Sequence, residues 1–292
     1  MTGRAQMRKR DREETALEKK RQGRPVVAIV QARMSSARLA GKVMRSICGR
    51  PMLWHVVNRL RSVPSLDAIV VATSTDRSDE VITRWCLHEG VKWYRGSLVD
   101  VLGRYRGAAL EFGATTIVRI TADCPMIDPL LVERAVEEFL RTPGLDYLGL
   151  DGSYPDGLDT EVFSFKALER AFMEARLPSE REHVTPYIWK NREIFRVRSL
   201  SHHEDLSNLR WTVDDARDLE FVRRVYESFA CPLRVFYMEE VLELLARRPE
   251  LTALNSSTMR NEGYMRSIAA EAPLSVAPVV KGAGTQVQLE KT

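Results

Sequence analysis

The sequence predicts an α/β fold, a mixed and mainly parallel sheet with helices on both faces. Three observations predict it: short β-branched runs recur along the chain, amphipathic helical stretches separate them, and no internal repeat is present. The first two, Val26–Val30 and Ala68–Ala72, are apolar throughout rather than alternating, as expected of strands covered on both faces.

The elements follow in order. Val26–Gln31 is a β-branched run fit for a buried parallel strand. Leu53, Val56, Val57 and Leu60 recur at helical spacing, with Pro51 near the start of that helix. Ala68–Thr73 is a second strand, and Glu80–His88 a helix that ends at Gly90. Val91–Tyr94 reads as a short strand, Val99–Phe112 as a helix, and Thr115–Ile120 as a fourth strand. Asp128 followed by Pro129 is an N-cap with proline at the first helical position. Behind it Val132, Ala135, Val136, Phe139 and Leu140 form the apolar face. The pattern loosens over 151–207, which reads as an inserted arm or subdomain. A strand is expected again at Leu209–Val213, then a helix through Tyr226 capped by Asp214 or Asp215.

The charge is unevenly placed. The 292 residues carry a formal net charge of +4, yet residues 1–24 hold nine Lys/Arg and four Asp/Glu, leaving −1 on residues 25–292. A nearly neutral body argues against a nucleic-acid partner, which needs a basic surface. Residues 1–24 lack an apolar stripe and read as a flexible basic arm, and 271–292 as a flexible tail, with the folded domain over 25–270. No run of 18 apolar residues occurs, so no membrane span is expected, and the start lacks the apolar stretch of a secretory signal. Cys48, Cys86, Cys124 and Cys231 are far apart with no CxxC pair, which reads as reduced thiols in a cytoplasmic protein.

Ligands of such sheets bind beyond the carboxyl ends of the strands. The loop after the first strand, QARMSSARLAGK (31–42), places Arg33, Arg38 and Lys42 among small residues. Fixed N–H donors, arginine forks and a lysine point charge together suit a polyphosphate. The GxxxxGK[ST] and GxGxxG spacings are both absent. Asp123 follows the fourth strand, and Asp214 the expected strand Leu209–Val213. Two carboxylates facing the cationic loop would make a metal–triphosphate site, since Mg²⁺ takes one or two carboxylates plus phosphate oxygens. Arg181 and His183 are weaker candidates for orienting an acidic or polyhydroxylated substrate. No D-x-D, Ser-His-Asp or Cys-His arrangement is evident.

With these motifs assembled, the chain resembles the cytidylyltransferases of the CMP-sugar synthetase group. It is most similar to the spore-coat-polysaccharide-biosynthesis type, related to CMP-Kdo and acylneuraminate cytidylyltransferases. The carriers are residues 31–42, GRPMLWHVVNRL (49–60), RGSLVDVLGRY (95–105), RITADCPMIDP (119–129), YPDGLDTEVFS (154–164), REHVTPYI (181–188), LRWTVDDARDLEFV (209–222) and NEGY (261–264). Ser35, Ala37 and Ala40 stand where relatives tend to have Gly, Thr and Pro.

The resemblance implies a Rossmann-like, GT-A-like nucleotidyltransferase fold with an inserted dimerisation arm, hence a homodimer. It implies transfer of CMP from CTP to an acidic sugar, with Mg²⁺ as cofactor and pyrophosphate released. Arg33, Ser36, Arg38 and Lys42 would hold the triphosphate, and Asp123 and Asp214 the metal. Asp100, Gly103 and Arg104 would lie near the nucleotide, and Arg181 and His183 would face the sugar. The catalytic set is then Arg38, Lys42, Asp123 and Asp214. Two other readings stay open at this point: a nucleotidyltransferase for a sugar phosphate or phosphonate, and a silent nucleotide-binding homologue.

Overall fold

A computed structural model describes residues 25–232, 234–256, 260 and 262–271. The expected arm over 1–24 and all of the expected tail except Glu271 lie outside the described residues. A seven-stranded sheet organises the chain. Its parallel half runs β5 (Lys92–Gly96), β4 (Ala68–Ser74), β1 (Val26–Gln31), β6 (Thr116–Thr121). Beyond β6 the order continues β8 (Glu161–Ser164), β7 (Tyr147–Leu150), β9 (Val197–Leu200). β8 is antiparallel to both neighbours and β9 parallel to β7, so the sheet is mixed. A two-stranded hairpin, β2 (Ser46–Ile47) with β3 (Arg50–Pro51), stands apart.

Central strand β1 shows why both faces are covered. Val26, Ala28 and Val30 point into one core with Leu53, Val56 and Leu60 of α1 (Met52–Leu60) and Val132 and Val136 of α4 (Pro129–Arg141). Val27 and Ile29 point into the other, with Leu102 and Tyr105 of α3 (Val101–Glu111) and Leu168 of α5 (Phe165–Glu174). The period-2 direction of strand side chains divides one apolar run between two cores. α2 (Glu80–Glu89) ends at Gly90 in the left-handed conformation, and Asp128 caps α4 by accepting from Leu130 and Leu131 N–H.

Segment 151–207, expected as an inserted arm or subdomain, supplies β8 and β9 to the sheet and carries α5, α6 (Pro178–His183) and α7 (Pro186–Lys190). Two expectations are corrected by the structure. Leu209–Val213 is extended but makes only a single bridge, Asp156 to Arg210. Its alternation is real: Trp211 and Val213 enter a third core with α8 (Ala216–Ser228) and α9 (Met238–Arg247). Finally, Cys48 and Cys231 are joined in a disulfide across 183 residues of sequence, with Cα atoms 5.5 Å apart. Only Cys86 and Cys124 are free thiols, both buried. The hairpin turn lands against the end of α8, a proximity that linear spacing cannot express. Among the described residues no helix is long and apolar enough to cross a membrane.

Candidate active site

The loop after β1 is closed by a glycine. Gly41 has φ 64° and its N–H donates to Met34 O at 2.9 Å; a Cβ there would meet Met34 Cε at 2.9 Å. A second tie comes from the neighbouring strand: buried Asp79, after β4, accepts from Met34 N–H at 2.7 Å. Its other carboxylate oxygen takes Thr73 and Ser74 hydroxyls at 3.1 and 2.6 Å. The loop therefore arrives preorganised, and Lys42 opens the short 3₁₀ turn Lys42–Met44 at its end.

Lys42 joins the two predicted carboxylates. Its Nζ donates to Asp123 Oδ2 at 2.7 Å, Asp214 Oδ1 at 2.8 Å and Val213 O at 2.9 Å. The second oxygen of Asp214 takes Arg38 at 2.9 Å. Burial alone would pull the ammonium down, but Asp123 and Asp214 more than reverse this and raise it above its ordinary value. Burial pushes both carboxyls up, and the Lys42 charge outweighs it. Asp123 is thus held below the usual range and Asp214 is brought to about 2.

Asp214 has a further holder that the sequence reading missed. Buried Arg210 donates to Asp214 Oδ2 at 2.8 Å, Asp156 Oδ2 at 2.6 Å and Asp218 Oδ1 at 2.9 Å. Asn255 Nδ2 backs Asp218 at 3.0 Å. This packing is close enough to require Gly157 (φ 108°), where a Cβ would lie 2.3 Å from Thr212 N. Asp218 and Asp215 form the capping box of α8, so helix start and site share one set of carboxylates.

These groups line a cleft of about 970 Å³ at the carboxyl ends of β1 and β6. Arg33, Ser36, Arg38, Lys42, Asp123, Asp214, Arg104 and His183 all line it. Arg33 is held at 3.3 Å by Glu182. Arg104 is 1% exposed and gives Nη1 to Ser97 O at 2.9 Å, while its Nε has no partner among the described residues. Gln31 Oε1, Arg119 Nε and Tyr264 Oη are likewise buried without partners among the described residues, so four residues of the cleft carry an unpaired polar atom.

The structure does not bring the remaining expected residues into this cleft. Asp100 caps α3, accepting from Gly103 N–H at 2.9 Å, and a Cβ at Gly103 would meet that carboxylate at 2.4 Å. Arg181 pairs with Asp100, donates to Phe172 O at 2.9 Å and lies over the Phe172 ring. Arg181 and Asp100 thus line a smaller adjoining cleft of about 530 Å³ with Arg33 and Glu182. Glu161 was missed although its segment was noted. It pairs with Arg119 and accepts from Tyr147 at 2.6 Å and from Thr185 on the floor of the main cleft.

Comparison with known proteins agrees with this geometry. A cytidylyltransferase family model matches residues 27–258. The chain is 30% identical over 232 residues to spore coat polysaccharide biosynthesis protein SpsF of Bacillus subtilis, covering 77% of this chain and 95% of that one. It is 28% identical over 228 residues to the 8-amino-3,8-dideoxy-manno-octulosonate cytidylyltransferase of Shewanella amazonensis, covering 68% and 88%. Among solved structures, a cytidylyltransferase from Leptospira borgpetersenii serovar Hardjo-bovis superposes with a TM-score of 0.76 at 30% identity, covering 81% of this chain and 100% of that one. The chain belongs to the cytidylyltransferase family, enzymes of the nucleotidyltransferase class.

Proposed function

We propose that this enzyme transfers CMP from CTP to an acidic sugar of the ulosonic type, releasing pyrophosphate in an Mg²⁺-dependent reaction. The observation that carries the reading is the convergence of Asp123 and Asp214 on Lys42, with Arg38 beside them. The acceptor class is supported by the octulosonate-specific relative, and a role in surface polysaccharide synthesis by the spore-coat relative.

The residues present fit a magnesium ion. Two carboxylates offer oxygens toward one point, where a lysine cation now lies within 2.8 Å of both. Among the described residues no group of three or more His, Cys, Asp or Glu is arranged as a metal cage. Mg²⁺ asks for only one or two carboxylates, since it keeps waters and borrows phosphate oxygens. Asp123 and Asp214 would hold it, and when bound it supplies charge neutralisation at the transferring phosphate. Lys42 and Arg38, fixed before substrate arrives, stabilise the charge on the departing pyrophosphate. Arg33 and Ser36 complete the triphosphate cradle, and Arg104 offers its free Nε to the nucleotide. The acceptor's anomeric hydroxyl attacks the α-phosphorus, so no protein nucleophile is needed. Arg119, rather than Arg181, supplies the cation on the acceptor side, with His183 beside it in the cleft. The enzyme acts as a homodimer in this reading.

A pyrophosphate-release screen tests it: CTP and Mg²⁺ with a panel of ulosonic acids and sugar phosphates. Turnover with an ulosonic acid is expected. Release with UTP or ATP but none with CTP would overturn the cytidylyl assignment, and turnover only with sugar phosphates the acceptor assignment.

A further inference from the structure

Helix α10 (Glu262–Glu271) lies beyond the residues matched by the family model, yet it closes one side of the cleft. Its first turn brings Glu262, Gly263 and Tyr264 to the cleft surface. These are three residues of the NEGY motif, for which the transfer chemistry has so far needed no role. The helix is held there by side chains. Glu262 pairs with Arg38, Ser267 Oγ lies 3.0 Å from His183 Nε2, and Glu271 accepts from Ser179 Oγ at 3.0 Å.

Tyr264 is the informative residue. Its ring meets His183 edge-on with centroids 5.1 Å apart and Trp189 at 5.9 Å, and all three line the cleft. Its hydroxyl is buried and has no hydrogen-bond partner among the described residues. A buried hydroxyl left without a partner is unfavourable, so a ligand bearing donors or acceptors is the species that completes it. An aromatic wall with one free hydroxyl matches a sugar ring: the C–H face lies on the aromatic surface and a ring substituent meets the hydroxyl. A nucleoside triphosphate calls for a cluster of cations instead, and Arg33, Arg38 and Lys42 supply one on the loop 33–42, whereas Arg266 of α10 is paired with Glu262.

We propose that Tyr264 is an acceptor-contacting, specificity-determining residue, and that α10 is the wall against which a polyhydroxylated acceptor is bound. This rests on the transfer reaction proposed above. It adds that the acceptor's fit is decided by a helix that follows the residues matched by the family model. Glu262, two residues before Tyr264, ties the same wall to a triphosphate-binding arginine, so acceptor and nucleotide sites meet at one helical turn.

The test uses the full chain and Tyr264→Phe, which keeps the ring and removes the hydroxyl. KM for CTP and for the best acceptor of the ulosonic-acid panel are measured separately. Loss of one neutral hydrogen bond should raise the acceptor KM about threefold to tenfold. The KM for CTP should stay within about twofold. An unchanged acceptor KM, or an equal rise for CTP, would overturn the proposal, the latter marking a structural role. If the wild-type chain releases no pyrophosphate with any panel sugar, the transfer reading fails by itself. Hydrogen exchange of residues 262–271 with each panel sugar then decides the wall. Protection by a sugar that Tyr264→Phe abolishes upholds it, and protection by none overturns it.

Discussion

Asp123 and Asp214 meet at one ammonium: Lys42 Nζ lies 2.7 Å from the first and 2.8 Å from the second. One carboxylate follows β6 and the other precedes α8, so the fold, and not the local chain, makes them a pair. Each also has partners of its own, which makes their separate contributions measurable.

Replacing either by its amide keeps shape and removes charge. Asp123→Asn and Asp214→Asn should each lower kcat by about 10²-fold or more, in line with losing a preorganised electrostatic contact. Near-normal pyrophosphate release by Asp123→Asn would sink the metal assignment. Circular dichroism should show the fold retained.

Acid sensitivity follows from Asp214. Its folded carboxyl is held at about 2 against an ordinary 3.8, so the unfolded chain binds the proton more readily. The stabilisation is present above about pH 4 and is lost as pH falls toward 2, about 2 kcal/mol in all. Thermal melts from pH 5 down to 2.5 should show this loss in the wild type. A smaller acid-induced drop in Asp214→Asn would confirm its source.

Arg210 acts through Asp214 as a positioning residue, its fork shared among Asp156, Asp214 and Asp218. Lysine cannot span three carboxylates. Arg210→Lys should cost about 2–4 kcal/mol of stability, as partial loss of a buried charge network does. It should also raise the Mg²⁺ concentration for half-maximal activity about tenfold or more, as loss of an outer-shell partner does. A stability loss with unchanged Mg²⁺ dependence would confine Arg210 to a structural role.

Glu262 pairs with Arg38, the arginine assigned to the triphosphate in the proposed reaction. Glu262→Gln removes the competing charge, so the KM for CTP should fall about twofold to fivefold, as for a partly exposed ion pair. A rise in that KM would show instead that Glu262 orients Arg38 for the nucleotide.

The disulfide predicts a redox-dependent stability. A cross-link closing a long loop is typically worth 2–4 kcal/mol, so reduction, or Cys48→Ala with Cys231→Ala, should lower Tm by roughly 5–10 °C. Equal melting with and without reductant would show that the bond contributes little.

Sequence legibility followed the range of the interactions involved. β1, its loop and the Asp128–Pro129 helix start are governed by neighbours in the chain, and pattern alone located them; it narrowed the cap of α8 to Asp214 or Asp215, and the structure gives Asp215. That Arg38, Lys42 and Asp123 would share one cleft was also legible, because a strand's carboxyl end tells which loop faces a ligand; Asp214 joins them although its segment is no sheet strand. Contacts between distant segments were not. The alternation of Leu209–Val213 is common to a sheet strand and an extended segment packed on helices, and only the tertiary fold decides between them. Arg181 has the right chemistry for an anion, but Asp100 and the Phe172 ring already claim it. Arg210 and Tyr264 stood only inside quoted motifs, LRWTVDDARDLEFV and NEGY, with no role assigned to either. One is a charge among many, and the other matters because of what it lacks.

The bond between Cys48 and Cys231 also makes the chain a covalent ring. Every strand from β4 through β9 lies on that ring, along with Asp123 and Asp214, while β1 and the cationic loop thread in from outside it. A protease cutting once between residues 49 and 230 would therefore yield two fragments that travel as one molecule until reduced. The same ring forces the loops that carry Asp123 and Asp214 to remain tethered even when the nicked protein unfolds.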